Sequence, residues 1–279
     1  MSDYLMRSFD IQSSAFFFTI ILTLGVVFVN GWTDAPNAIA TAVSTRAISP
    51  KNAVFMSAIF NFLGIIIMTL INRRVALTVA GIANFGSGEN ASAALCGALA
   101  SVIIWAVLAW AFGIPTSESH AIIAGLTGAA IAVGGGRSGI NISEWLKVVY
   151  GLIMSLLPGF ALGFVLTKTI IFILKSTDKR KTKGFFNKAQ IVGSAATSFM
   201  HGAQDGQKFI GVLLIGIVLA NGERAPGEVS VPCGLLVVCS IVMSVGTLVG
   251  GYRIIKTVGM DMAKVVAVLM KKHRITHLA

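Results

Sequence analysis

Long apolar segments are the feature that most constrains what this 279-residue chain can fold into. Most approach or exceed the roughly 20 residues that an α-helix needs to cross a bilayer. They cover residues 15–32, 50–70, 91–112, 145–174, 189–221 and 234–255. Only 12% of the residues are charged, against about 25% in an average soluble protein. The sequence therefore predicts an all-α polytopic membrane protein, placed in the cell membrane with several crossings.

The net charge of +11 indicates topology rather than nucleic-acid binding. The basic residues lie in short connections, as in cytoplasmic loops, and no stripe of base-stacking aromatic residues accompanies them. The most basic connection, 175–188, predicts a cytoplasmic loop, with 222–232 outside and the basic C-terminal tail inside. Membrane lipid is an expected partner, and a cytoplasmic regulatory protein docking on 175–188 stays an open alternative.

Three polar clusters interrupt the apolar segments at membrane depth. They are Thr33, Asp34 and Asn37; Thr116, Ser117, Glu118, Ser119 and His120; and His201, Gln204, Asp205, Gln207 and Lys208. A carboxylate at the centre of a membrane helix costs at least about 2.5–3.5 kcal/mol on insertion scales. We therefore expect these clusters to handle an ion, a proton or a substrate.

Two of the clusters share a spacing. Gly31-x-x-Asp34-x-x-Asn37-x-Ile39 matches Gly202-x-x-Asp205-x-x-Lys208-x-Ile210. Two related polar breaks in an all-helical membrane chain favour an internal repeat. The predicted division is a first transmembrane repeat over 1–174, a basic cytoplasmic linker over 175–188, and an incomplete second repeat over 189–279.

The three clusters together suggest sites for an anion and a cation. A helix that starts in mid-membrane presents free N–H groups and a positive dipole to an anion, and the hydroxyls of Thr116, Ser117 and Ser119 suit a tetrahedral oxyanion. Asp34 and Asp205 would repel that anion, so their expected partner is Na⁺ or H⁺. This combination is typical of a cation-coupled anion symporter.

The motifs also resemble a known family, the inorganic phosphate transporters (PiT). "GWTDAPNA" and "HGAQDGQKFIGV" look like two copies of that family's G-A-N-D-x-A-N-A motif, and "GIPTSESHAIIAGLTGA" is similar to its P-x-S-T-T-H segment. "YRIIKTVGMDM" resembles a further family segment. The resemblance implies an inverted-repeat secondary transporter whose broken helices and re-entrant hairpins hold phosphate and Na⁺. It carries over Asp34, Asn37, Thr116, Ser117, Gln204 and Asp205 as binding residues.

The chain departs from the family pattern at several of these positions. Thr33 and Pro36 replace the usual Asn and Ala, and Gln207 and Lys208 replace Ala and Asn. Lys208 would either neutralise Asp205 or contact phosphate, which in both cases favours proton coupling over sodium. Asn61 stands where many members have Glu, and Glu118 adds a titratable group.

No second P-x-S-x-x-H segment precedes Ala279, which leads us to expect a truncated product. The missing half supplied by another copy, and a chain not competent for transport, are the alternatives.

The predicted function is inorganic phosphate transport by Na⁺- or H⁺-coupled symport with alternating access. The predicted substrate residues are Thr116, Ser117, Ser119, Asn37, Gln204 and Lys208; the predicted coupling-ion residues are Asp34, Asp205, Thr33 and Glu118. Asp34 and Asp205 would be the metal ligands if the ion is Na⁺. No other cofactor and no enzyme activity are expected. Sulfate as substrate, an inert fragment and a homo-oligomer remain open.

Structural roles are the competing interpretations. Asp34 with Asn37 could cap a helix, and the 116–119 hydroxyls could do no more than cap the helix that follows. His120 and His201 are expected to be hydrogen-bonded packing residues rather than metal ligands. An intramembrane enzyme using Glu118 and His120 as acid and base would need a third positioned group, which the sequence does not offer.

Overall fold

A computed structural model of the chain describes residues 14–86, 89–114, 116–175, 177, 179–221 and 233–256. The described residues form α-helices and two short 3₁₀ helices, without a strand. The α-helices are α1 Ser14–Thr33, α2 Ala40–Ser44, α3 Pro50–Ile71, α4 Arg74–Ile82, α5 Glu89–Phe112, α6 Glu118–Gly134, α7 Ile142–Leu174, α8 Lys179–Asn221 and α9 Cys233–Ile254. The 3₁₀ helices are Ala35–Ala38 and Arg137–Gly139.

Local sequence signals set several helix ends. Ser49 caps α3 by accepting a hydrogen bond from the Asn52 amide, directly before Pro50 at the first helical position. The Asn141 side chain accepts a hydrogen bond from the Ser143 amide at 3.1 Å and so begins α7. At the end of α6, Gly135 takes the left-handed conformation with φ 64°, which glycine adopts without a steric cost.

Six helices among the described residues are long and apolar enough to cross a membrane, namely α1, α3, α5, α7, α8 and α9. This confirms the predicted all-α polytopic membrane class. The helix α6 has 17 residues and is shorter than the ~20 needed for a crossing. It packs back along α5, and a bridge between Ala83 and Ile140 joins its far end to the residues before α5. α5 and α6 therefore form a helical hairpin, and Glu118 at the start of α6 is buried.

The helix α8 lies at the centre of the fold and packs against α3, α4 and α1. Glycines allow the closest approach. A Cβ on Gly202 would collide with the main-chain oxygen of Asn61, and one on Gly64 with that of Phe199. The α1–α9 crossing is built the same way, because Cβ atoms on Gly31 and Gly246 would meet the carbonyls of Met243 and Phe28. Small residues at these crossings let the polar clusters of different helices come together.

Helix α7 differs from the others because none of its 33 residues is buried. It continues through Pro158 as one helix. It packs against α4, and Trp145 Nε1 donates to Thr127 Oγ1 of α6 at 3.0 Å.

Two expectations need correction. The third polar cluster does not break its helix, because α8 is continuous from Lys179 to Asn221. Likewise, the connection 175–188 is not a loop throughout, since its residues from Lys179 onward belong to α8. The predicted outer loop at 222–232, the basic tail beyond 256 and the region searched for a second hairpin motif lie outside the described residues. The division into two repeats stays a prediction.

Candidate functional site

The first polar cluster lies where α1 ends in a tight turn. The Asp34 amide still donates to the Asn30 carbonyl at 2.9 Å, but the Asn37 amide donates to the Asp34 carbonyl at 3.0 Å, a bond from i+3 to i. Pro36 has no N–H and its ring clashes with the carbonyl four residues earlier, which disfavours continuing the α-helix through it. A 3₁₀ helix over Ala35–Ala38 results, and α2 begins at Ala40. The predicted break at this cluster is therefore present.

The third polar cluster lies near the middle of α8. His201, Asp205 and Lys208 are four and three residues apart, so their side chains share one face of the helix. The Asp205 side chain is almost fully buried, and the Lys208 ammonium contacts its Oδ1 at 2.6 Å. The carboxylate thus has a built-in counter-charge from its own helix.

The two carboxylates of the repeated motif meet at His201. Its Nε2 lies 3.2 Å from Asp205 Oδ2 and 3.8 Å from Asp34 Oδ2. One ligand atom from each of the three residues fits within 4.8 Å of the others, so the group could hold a metal ion. The end of α1 and the middle of α8 therefore build one site.

Neighbouring amides orient this group. Thr247 Oγ1 lies 3.0 Å from the Met243 carbonyl and 3.4 Å from Asn61 Nδ2. Asn61 therefore turns its Oδ1 to His201 Nδ1, 3.1 Å away. On the other side of the ring, Asn30 Nδ2 donates to Asp205 Oδ2 at 3.2 Å. Asn61 lies near the middle of α3, which places the whole group well inside the helical bundle.

The start of α6 brings the second polar cluster to Asp205 and to the end of α1. Ser119 Oγ donates to Asp205 Oδ1 at 3.2 Å and accepts from Lys208 Nζ. Glu118 is 1% exposed, and its Oε1 accepts from Thr33 at 3.0 Å and from Thr116 at 3.3 Å. The free N–H groups in the first turn of α6 therefore lie beside the Asp205 carboxylate of α8 and the Thr33 hydroxyl at the end of α1.

Several predicted residues stand at the edge of this group. Asn37 is exposed, although its amide donates to Asp34 Oδ1 at 2.9 Å. Gln204 is exposed as well, because adjacent residues of an α-helix point about 100° apart and Asp205 faces inward. Ser117 is the N-cap of α6 without a side-chain capping bond. His120 is exposed and Glu118 is buried, so the acid–base pair imagined for an enzyme is not assembled.

Ser117 instead lines a cleft of about 570 Å³ that leads to the start of α6. Its polar and aromatic lining includes Ser101, Trp105, Thr116 and His120. The hydroxyls of the second cluster are therefore reachable from outside the helical bundle.

Sequence reasoning missed Asn30 and the central position of His201, and it noted Asn61 only as a departure from the family pattern. The spacing of His201, Asp205 and Lys208 was a usable signal, since it places all three on one face. Buried oxygens without a hydrogen-bond partner also surround the group. They are Asn30 Oδ1, Glu118 Oε2 and Gln207 Oε1. Buried acceptors without a protein donor are typically satisfied by a bound ion or water.

Comparison with known proteins places the chain among transporters. The phosphate transporter family profile matches residues 30–268. A probable low-affinity inorganic phosphate transporter of Bacillus subtilis is 35% identical over 88% of this chain and 72% of its own length. A Mycobacterium leprae protein of the same description is 34% identical, and this chain spans 58% of it. The low-affinity inorganic phosphate transporter PitB of Escherichia coli is 32% identical over 71% of this chain and 46% of its own length.

The fold is also similar to a solved structure. The structure described as the sodium-dependent phosphate transporter superposes with a TM-score of 0.70 over 88% of this chain and 78% of that chain, at 22% identity. This likeness confirms the transporter fold, and the family consists of transporters rather than enzymes. The protein is thus a multi-pass protein of the cell membrane, and it belongs to the phosphate transporter family.

Proposed function

We propose that this chain carries inorganic phosphate across the membrane by symport with Na⁺ or H⁺, through alternating access of one central site. The observation that carries the proposal is that Ser119 at the start of α6 contacts Asp205, and that Asp205 and Asp34 share His201 inside the bundle. A helix N-terminus with nearby hydroxyls attracts a tetrahedral oxyanion, and the carboxylates beside it require a cation before the anion can bind.

Phosphate would bind between the first turn of α6 and the basic face of α8. Ser119 contacts both Asp205 and Lys208. A lysine ammonium has three N–H donors, so Lys208 can hold Asp205 and Ser119 and still donate to a phosphate oxygen. Thr116 and Ser117 line the cleft beside it and offer a path for entry. Asn37 and Gln204 are exposed near this group and would contact the anion from the outer side.

The coupling ion would bind on the α1 side. The residues present fit a cation, because Asp34 and Glu118 supply carboxylate oxygens. The Thr33 hydroxyl lies 3.0 Å from Glu118 Oε1. Glu118 Oε2 is buried without a donor. Both Na⁺ and a proton satisfy such an acceptor. The helix break at Ala35–Ala38 supplies a segment that can move between inward-open and outward-open states.

Phosphate uptake into proteoliposomes tests the proposal. Purified wild-type protein should accumulate [³²P]phosphate when a Na⁺ or H⁺ gradient is imposed, and Asp34→Asn and Asp205→Asn should reduce uptake to the level of empty liposomes. Glu144→Gln is the charge-matched control, because Glu144 pairs with Lys147 away from the site. Normal uptake by both aspartate variants would contradict the proposal, and stronger competition by sulfate than by phosphate would change the substrate.

A further inference from the structure

The two carboxylates of the repeated motif have different partners three residues later. Asp34 receives the neutral amide of Asn37 at 2.9 Å, whereas Asp205 receives the ammonium of Lys208 at 2.6 Å. The Asn37 side chain is exposed, but that of Lys208 is only 19% exposed. The Asp34 side chain is 19% exposed against 7% for Asp205, so the first carboxylate is the more accessible one and the second already holds a positive group.

The Lys208 ammonium is held as a bound cation would be. It contacts a carboxylate oxygen of α8 and the Ser119 hydroxyl at the start of α6, so it joins two separate helices through oxygen ligands. Hard cations such as Na⁺ select carboxylate, hydroxyl and amide oxygens.

The other charged groups around Asp205 leave this position to Lys208. His201 approaches the opposite oxygen, Oδ2, at 3.2 Å and is shared with Asp34. Glu118 from α6 is turned away towards Thr33 and Thr116. Among the described residues, the only cationic group on the Oδ1 side of Asp205 is therefore the Lys208 ammonium.

We infer that Lys208 is a tethered cation that permanently fills the cation position at Asp205, so that Asp34 is the carboxylate that takes an exchangeable coupling ion. The inference rests on the proposed function, which it refines. A tethered charge competes with free ions at the high effective concentration of an intramolecular group. Because it cannot leave the protein, it screens Asp205 from phosphate without carrying charge across the membrane.

Equilibrium binding of ²²Na⁺ to the purified full chain in phosphate-free buffer tests the inference. Lys208→Asn should gain a saturable Na⁺-binding component that the wild-type protein lacks, and Lys208→Gln should do the same. Lys208→Arg, which keeps the charge, should bind like the wild type. Lys188→Asn is the matched control, since Lys188 is an exposed lysine of the same helix, and it should leave Na⁺ binding unchanged.

Asp205→Asn supplies the second arm. Combined with Lys208→Asn, it should abolish the Na⁺-binding component that Lys208→Asn gains. The inference is overturned if folded Lys208→Asn and Lys208→Gln bind Na⁺ like the wild type, or if the gained component persists in the folded Lys208→Asn/Asp205→Asn double variant. Because phosphate is absent, the result is independent of whether the chain transports phosphate.

Discussion

The segments 31–39 and 202–210 share one motif and differ in backbone. The first ends α1 in a 3₁₀ turn, and the second continues inside α8. Pro36 in the first segment corresponds to Gln207 in the second. Gln207 has an N–H that can join the helical hydrogen bonds, and Pro36 does not. The two segments thus share the spacing of their polar residues, while Pro36 favours a break in the first segment only.

The largest expected effect comes from making the second segment like the first. Gln207→Pro should break α8 at its centre and destabilise the protein by about 3 kcal/mol or more. Chemical unfolding in detergent micelles measures the loss, and circular dichroism the lost helix. Gln207→Ala keeps the N–H and serves as the control; similar unfolding midpoints for both variants would show that α8 tolerates a break there.

Substituting the first glycine of each motif should lower the stability of the protein by similar amounts. Gly31→Ala and Gly202→Ala each push a methyl group against a main-chain carbonyl of a neighbouring helix, which we expect to cost about 1–3 kcal/mol. Gly193 of α8 has no atom within 4 Å of an added Cβ. Gly193→Ala should therefore be neutral or slightly stabilising in the same unfolding measurement, and an equal loss at all three glycines would argue against the close crossings.

A smaller effect is expected where α6 meets the first segment. Thr33→Val keeps the shape of the side chain but removes the hydroxyl next to Glu118, a loss of about 1–3 kcal/mol for a buried acceptor. Thr116→Val removes a longer bond of 3.3 Å to the same oxygen and should cost less. The order of the two unfolding free energies checks the contact, and the reverse order would contradict it.

The smallest effect on stability is expected at Asn37. The hydrogen bond from its side-chain amide to Asp34 is exposed, so Asn37→Ala should change the free energy of unfolding by less than about 1 kcal/mol. Its expected effect is on function, as a weaker apparent affinity for phosphate in the liposome assay. A large loss of stability, comparable to that of Thr33→Val, would mean that Asn37 supports the turn instead of the substrate.

How much of the site the sequence could predict depends on whether a residue's partner lies on its own helix. The face shared by His201, Asp205 and Lys208 follows from helical spacing alone. The exposure of Gln204 follows from the same rule once Asp205 is known to face inward. Asn30 and Asn61 could not be found in this way, because their partners are 175 and 140 residues away along the chain.

The sequence by itself determined the membrane class, the crossing segments and the polar clusters, because long apolar runs suit a bilayer as helices and charges are costly to bury there. Only the tertiary structure decided that Asp34 and Asp205 share His201, that Lys208 lies on Asp205, and that the α5–α6 hairpin brings Glu118 and Ser119 to them. These contacts depend on which helices cross and how closely. Close approach at Gly31, Gly64, Gly202 and Gly246 fixes those crossings. The sequence around each glycine does not predict which main-chain carbonyl it will contact.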